Sequence, residues 1–277
     1  MIKKIFFIII FFTCANFTHD LVATKNEIAE KIGLQIWQNE ALGREDLLVF
    51  WNEKEAFPSL GIGHAIWLPE HHEVNYTQAF VLLCNYLKNC GVILPLWIQE
   101  ALPKGAPWKN REEFYNDHER LKELRQLLVS TIDLQMLFMI ERLEQTLPII
   151  IKSLPKKHRE KVRRYVNFML DCPEGTYALV DYLNFKGDGL NPAEKINGQG
   201  WGLWDVLLAM PNDLTPKNVV KAFSIIAAKK LLTRIENTAP DYAIIHFLEG
   251  WMKRISTYTK LEFNIKNFAR SLATKKF

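Results

Sequence analysis

The sequence predicts a mainly α-helical protein with a small β-hairpin or three-strand sheet near residues 47–68. Three observations lead there. Apolar residues recur at helical spacing over almost everything after about residue 74. Residues Leu47 to Leu68 instead alternate β-formers (Val49, Trp51, Phe57, Leu60, Ile62, Ile66) with Pro58, Gly61, Gly63 and, just beyond, Pro69. The 277 residues are 48% hydrophobic and 24% charged, enough apolar material for a large core, which rules out a disordered tail or a coiled coil. Four cysteines cannot make a disulfide scaffold, and no CxxC pair suggests a structural zinc site. The charge of +4 is mild, and the 12% aromatic share suits a packed helical core or a carbohydrate-facing cleft.

In chain order, residues 1–15 come first. Lys3 and Lys4 precede an unbroken apolar run from Ile5 to Phe12, and Thr13 and Ala15 follow in the small-residue pattern of a signal peptidase site. The run is shorter than the ~20 residues a permanent span needs. The expected address is therefore periplasmic or secreted, with cleavage after Ala15 and no stable transmembrane segment. Cleavage removes Lys3, Lys4 and Cys14, bringing the charge from +4 to +2 and leaving Cys84, Cys90 and Cys172, either bonded in part or buried as free thiols.

Thr24 and Glu27 then form a capping-box pattern, and Ile28, Ile32 and Ile36 recur every fourth residue, predicting a first amphipathic helix that ends near Gly43. After the β-texture, helices are expected at roughly 75–89, 111–147, 156–171, 174–185, 201–210, 216–236 and 240–258, with Pro216 and Pro240 at two helix starts. Leu127 to Ile140 is apolar on nearly every face and reads as the axis of the core. No repeat, low-complexity tract or long polar linker divides the chain, so residues 20–277 are expected to form a single domain.

The chemistry centres on Glu40. It takes the next four-residue step after Ile28, Ile32 and Ile36, so it projects from the buried stripe of the first helix. Desolvation there favours the protonated carboxyl, as a general acid requires; the alternative is a helix-terminal glutamate in a salt bridge. Glu53 follows, and six residues later Ser59 opens the run Leu60-Gly61-Ile62-Gly63-His64.

This pattern resembles the phage-type lysozymes of the lysozyme-like superfamily. Those enzymes place a catalytic Glu at the end of the first helix and an acidic residue on a short sheet. Six residues on, a Thr leads into Ile-Gly-Ile-Gly-His. The resemblance implies an α+β lysozyme-like fold, with Glu40 as general acid, Glu53 in the acidic position and Ser59 supplying the hydroxyl that helps hold the attacking water. It covers about residues 25–68. Glu40 and Glu53 are separated by twelve residues where the family has about eight, so Glu55 or Asp46 is an alternative second carboxylate. Gly61 and Gly63 permit close backbone approach to a ligand or a neighbouring helix. They are assigned to substrate binding together with His64, which reads as a hydrogen-bonded support.

A second element, Asn184 to Gly189 followed by Gly198-Gln199-Gly200-Trp201-Gly202-Leu203-Trp204, gathers glycines, amides and indoles at a helix start. Indole faces stack on sugar rings and amides bind hydroxyls, which makes Gln199 and Trp201 candidate substrate contacts; a tight loop with core tryptophans is the alternative. The element is similar to the Gly-Leu-Met/Leu-Gln run of lytic transglycosylases, with Trp204 where their Gln stands. Glu70-His71-His72-Glu73 lacks metal-ligand spacing, so no metal and no cofactor is expected. The basic run Lys156 to Arg164 reads as a solvated face or an attraction to anionic wall polymer or lipid, and an exported chain disfavours nucleic acid.

The function expected is an exported, monomeric glycosidase cutting the β-1,4 bond between N-acetylmuramic acid and N-acetylglucosamine in peptidoglycan glycan strands. A lytic transglycosylase giving anhydro-sugars, and a non-catalytic glycan- or protein-binding module, are the alternatives.

Overall fold

The computed structural model describes residues 30–70, 72, 78–238 and 245–259. The export segment 1–15, the Thr24/Glu27 capping box, His71, Glu73 and Pro240 lie outside them. The protein is mainly helical with a small three-strand antiparallel sheet, as its sequence predicts. Its contacts group into two compact units, Met1–Ile140 and Glu141–Phe277.

In the first unit, helix α1 (residues 30–41) buries Ile32 and Ile36 on one stripe and Ala41 at its end. It ends where Leu42 and Gly43 turn left-handed in succession, the N–H of Gly43 returning to the carbonyl of Trp37. A 3-10 turn, Glu45–Leu48, leads into β1 (Val49–Phe50), β2 (Ser59–Leu60) and β3 (Ala65–Ile66). The strands pair in the order β1-β2-β3, with Val49 opposite Leu60 and Ser59 opposite both Phe50 and Ile66.

Aromatic packing anchors the segment that follows the sheet. Trp67 is fully buried against Phe80 on α2 (Ala79–Asn89), Trp97 on α3 (Leu96–Ala101) and Trp108, with ring centroids 4.7, 6.2 and 6.0 Å away. Helix α3 is absent from the sequence expectation, because only six residues after Pro95 form it.

The helix expected over 111–147 divides into three. Asp117 ends α4 (Arg111–Asn116) and caps α5 (His118–Ser130), its side chain accepting the N–H of Arg120. At the second break the hydroxyls of Ser130 and Thr131 both donate to the carbonyl of Leu127, competing with the backbone ladder. Helix α6 (Ile132–Ser153) then continues past the expected end at 147, carrying Pro148 inside it.

In the second unit, α7 (Lys156–Leu170), α8 (Pro173–Lys186), α9 (Leu203–Ala209), α10 (Val219–Asn237) and α11 (Leu248–Ser256) bury a common core that includes Tyr165, Leu179, Tyr182, Val206, Phe223 and Ile255. Pro216 precedes α10 in a turn that Asn218 closes by accepting the N–H of Thr215. Cys84 is buried, Cys90 exposed and Cys172 half-buried, all three as free thiols, and burial pushes the Cys84 thiol up to about 12. Among the described residues, no helix is long and apolar enough to cross a membrane.

Candidate functional site

Glu40 lies in the last turn of α1, one residue before fully buried Ala41, and its side chain is only 16% exposed. The i, i+4 stripe begun by Ile32 and Ile36 carries it there. Facing it is His64, 18% exposed, whose Nδ1 stands 3.7 Å from Oε2 of Glu40. His64 closes the four-residue turn between β2 and β3, its N–H donating to the carbonyl of Gly61, and it takes a left-handed φ of 47°. For a side-chain-bearing residue this is a costly conformation. The ring stacks on Phe50 of β1 at 6.2 Å, and Nε2 lies 3.3 Å from the carbonyl of Leu47.

The turn owes its shape to a residue the sequence reading passed over. Gln135 of α6, 2% exposed, accepts the N–H of Ile62 at 3.0 Å and donates to the carbonyl of Leu128 and the hydroxyl of Thr131. Gly61 has φ 74°, and a Cβ there would run into Oε1 of Gln135. Its glycine thus serves close approach to a helix, the second of the two uses foreseen for it, and Gly61 is buried. Gly63 is half-buried. The available signal for Gln135 was a lone amide in a run that is apolar on nearly every face.

The loop from β1 to β2 holds the other acids. Its backbone is fixed to α4: the Trp51 N–H donates to Tyr115 Oη at 3.0 Å, and Arg111 Nε donates to the Trp51 carbonyl at 2.9 Å. Trp51 Nε1 in turn donates to the carbonyl of Glu55 at 2.8 Å, and the Glu55 N–H donates to the carbonyl of Asn52. Glu55 is exposed as a residue, yet loss of water around its carboxyl pushes its pKa up, and the negative charge of Glu40 adds to the shift. Glu53 is exposed. Asp46 is also exposed and is held by Arg44, whose hydrogen bond keeps its carboxyl below the usual range. Ser59 is buried on β2 at 7% exposure. The first unit therefore brings Glu40 and His64 together, and Glu55 is the loop acid whose pKa is raised by loss of water and, secondarily, by the charge of Glu40.

Gln199 and Trp201 belong to the second unit. Gln199 is exposed, its N–H and carbonyl both bonded to Ile196 across a tight turn. Trp201 is half-buried: Tyr182 Oη donates to its carbonyl at 2.7 Å, and the Arg234 guanidinium lies 4.0 Å above its ring. Lys195 covers the Trp204 ring in the same way, at 4.5 Å. Buried Asp205 accepts the N–H of Gly202, and a Cβ on Gly200 would strike its carboxylate, so this glycine permits the loop to close over the acid. Among the described residues no cluster of His, Cys, Asp and Glu is placed to hold a metal ion.

Compared with protein-family models, with curated proteins and with solved structures, the chain matches none.

Proposed function

We propose that the protein is an exported glycosidase that cleaves the β-1,4 bond between N-acetylmuramic acid and N-acetylglucosamine in peptidoglycan, with Glu40 as general acid. The observation that carries this reading is the placement of Glu40: a sparsely hydrated carboxyl at the end of α1, faced by the His64 ring. The local resemblance to phage-type lysozymes in residues 25–68 supports it independently.

In this reading the Glu40 carboxyl donates its proton to the glycosidic oxygen as the bond to the sugar carbon breaks, leaving an oxocarbenium-like centre. Glu55 takes the acidic position that the family pattern gave to Glu53, and its carboxylate faces the positive charge that develops. The Ser59 hydroxyl helps hold the attacking water. Water then adds to the sugar carbon, and its proton passes to a carboxylate. If the sugar's own hydroxyl closes the ring instead, the product is an anhydro-sugar, lighter by one water.

Purified protein is expected to clear a peptidoglycan suspension. Glu40→Gln is expected to lower that rate by roughly 10²–10⁴-fold, the usual worth of a positioned general acid, with the circular dichroism spectrum unchanged. Undiminished clearing by Glu40→Gln would refute the reading. Glycan binding without cleavage by either form would make the protein a binder. Mass spectrometry of the products separates hydrolysis from transglycosylation.

A further inference from the structure

We propose that the turn between α2 and α3 is a membrane-docking tip, which sets the side chains of Ile93 and Leu96 into the surface of a lipid bilayer. These two are the most exposed large hydrophobic residues among those described, at 90% and 70%, and they stand three positions apart. A side chain that lines a groove is touched from several sides. Ile93 is touched on almost none, so it projects. Gly91 is as open on the same turn, since a Cβ there would meet nothing within 4 Å. Apolar residues scattered singly over a surface need no partner, but two gathered on one turn mark a contact.

The backbone holds this exposure in place. Helix α2 ends in a Schellman motif: Gly91, left-handed at φ 84°, donates its N–H to the carbonyl of Lys88, and Val92 donates to that of Leu87, both at 3.0 Å. Leu94 is buried in the core at the middle of the turn, and its carbonyl accepts Gln99 Nε2 at 2.8 Å. Pro95 fixes the entry to α3, whose first turn closes as Ile98 donates to the Pro95 carbonyl, and Trp97 stacks on Trp67 at 6.2 Å. With Leu94 pinned inside, Ile93 and Leu96 on either side of it have no slack by which to fold in.

The size of the patch decides what covers it. A stable protein interface takes roughly 20–30 residues a side, whereas here the apolar surface gives way within a few positions to exposed Lys88, Asn89, Glu100 and Lys104. A bilayer asks only for depth. The two aliphatic side chains sink among the acyl chains while the polar shoulders stay at headgroup level, the lysines by their long stems. Lys88 and Lys104 against Glu100 leave the shoulders only mildly positive, so the contact is mainly apolar and requires neither anionic lipid nor low salt. It does not depend on the glycosidase reading.

The test places an environment-sensitive fluorophore on Cys90, exposed beside the tip, in the full chain carrying Cys14→Ser and Cys172→Ser; Cys84 is buried out of reach. On addition of phosphatidylcholine vesicles the emission is expected to shift to the blue and brighten several-fold, and to stay so in high salt. Ile93→Ser with Leu96→Ser, which leaves the core untouched, is expected to abolish the shift. Because the probe reads the tip alone, attachment of the chain through residues 5–12 does not imitate the result. Emission that keeps its aqueous wavelength, whether or not the chain sediments with the vesicles, would overturn the proposal. So would a shift that survives the double substitution, or one confined to anionic phosphatidylglycerol vesicles. A shift that grows with protein concentration in the absence of vesicles, and is lost in the double variant, would put a second copy of this chain in place of the bilayer.

Discussion

Glu55 and Glu53 differ by two positions and by environment, and the difference can be measured. Glu53 is exposed, whereas the Glu55 carboxyl has lost water and sits in the field of Glu40. Glu55→Gln is therefore expected to cost about 10²-fold in clearing activity, and Glu53→Gln to stay within about threefold. The pH dependence has a definite sign. An acid whose pKa is raised on folding helps the folded state below its unfolded value, about 4.3, and loses that contribution as pH rises through the folded value. At neutral pH ionised Glu55 therefore works against the fold. Glu55→Gln is expected to melt at or above the parent's temperature at pH 7, with the advantage vanishing near pH 3, as thermal melts across that range would show. A variant that is less active yet no less stable is what a functional acid predicts; a purely structural one would lose both. The position was open in the sequence, because spacing names carboxylates but does not say which one loses water. The backbone of Glu55 is fixed by the Trp51 indole, which donates to its carbonyl.

Among the elements, the β2–β3 turn and α6 form one mechanical unit. Gln135 bonds the N–H of Ile62, and Gly61 leaves room for it. Gln135→Ala removes the acceptor from a buried N–H and is expected to cost about 1–3 kcal/mol. Gly61→Ala both clashes with that amide and forces alanine to a φ of 74°, at a cost of the same order. Because the two act through one contact, Gly61→Ala with Gln135→Ala is expected to cost less than the sum of the two, as urea unfolding of the four proteins would measure. The glycine run itself was legible, and so was the helix that ends in Glu40, since a four-residue apolar stripe states its own direction. The breaks at Asp117 and Thr131 were not. Helical periodicity continues across both, and what interrupts them is local side-chain bonding to the backbone: Asp117 at the first break, Ser130 and Thr131 at the second. Helix α3 was missed for a related reason, six residues being too few to show a period.

Across the whole chain, composition and texture sufficed for a mainly helical protein with one small sheet. The grouping of contacts into two units was invisible, because no change of composition marks it. Equally hidden was the tie that closes the second unit. Asp181 of α8, fully buried, meets Arg254 of α11 through two hydrogen bonds of 2.9 and 2.8 Å and accepts a third from Tyr258 at 2.6 Å. Residues 73 positions apart reveal nothing of this in sequence. Two charges removed from water repay their desolvation only when each satisfies the other, so their joint contribution is small while the loss of one partner is severe. Arg254→Met leaves the Asp181 carboxylate buried without its counter-charge and is expected to destabilise by about 3–5 kcal/mol. For a unit of this size that lowers the melting temperature by on the order of 10 °C. Adding Asp181→Asn removes the stranded charge and keeps an acceptor for Tyr258, so the double variant is expected to recover most of the loss. Calorimetry of the three proteins decides it: a double variant no more stable than Arg254→Met alone would mean that packing of the arginine stem, and not the ion pair, holds α11 to α8.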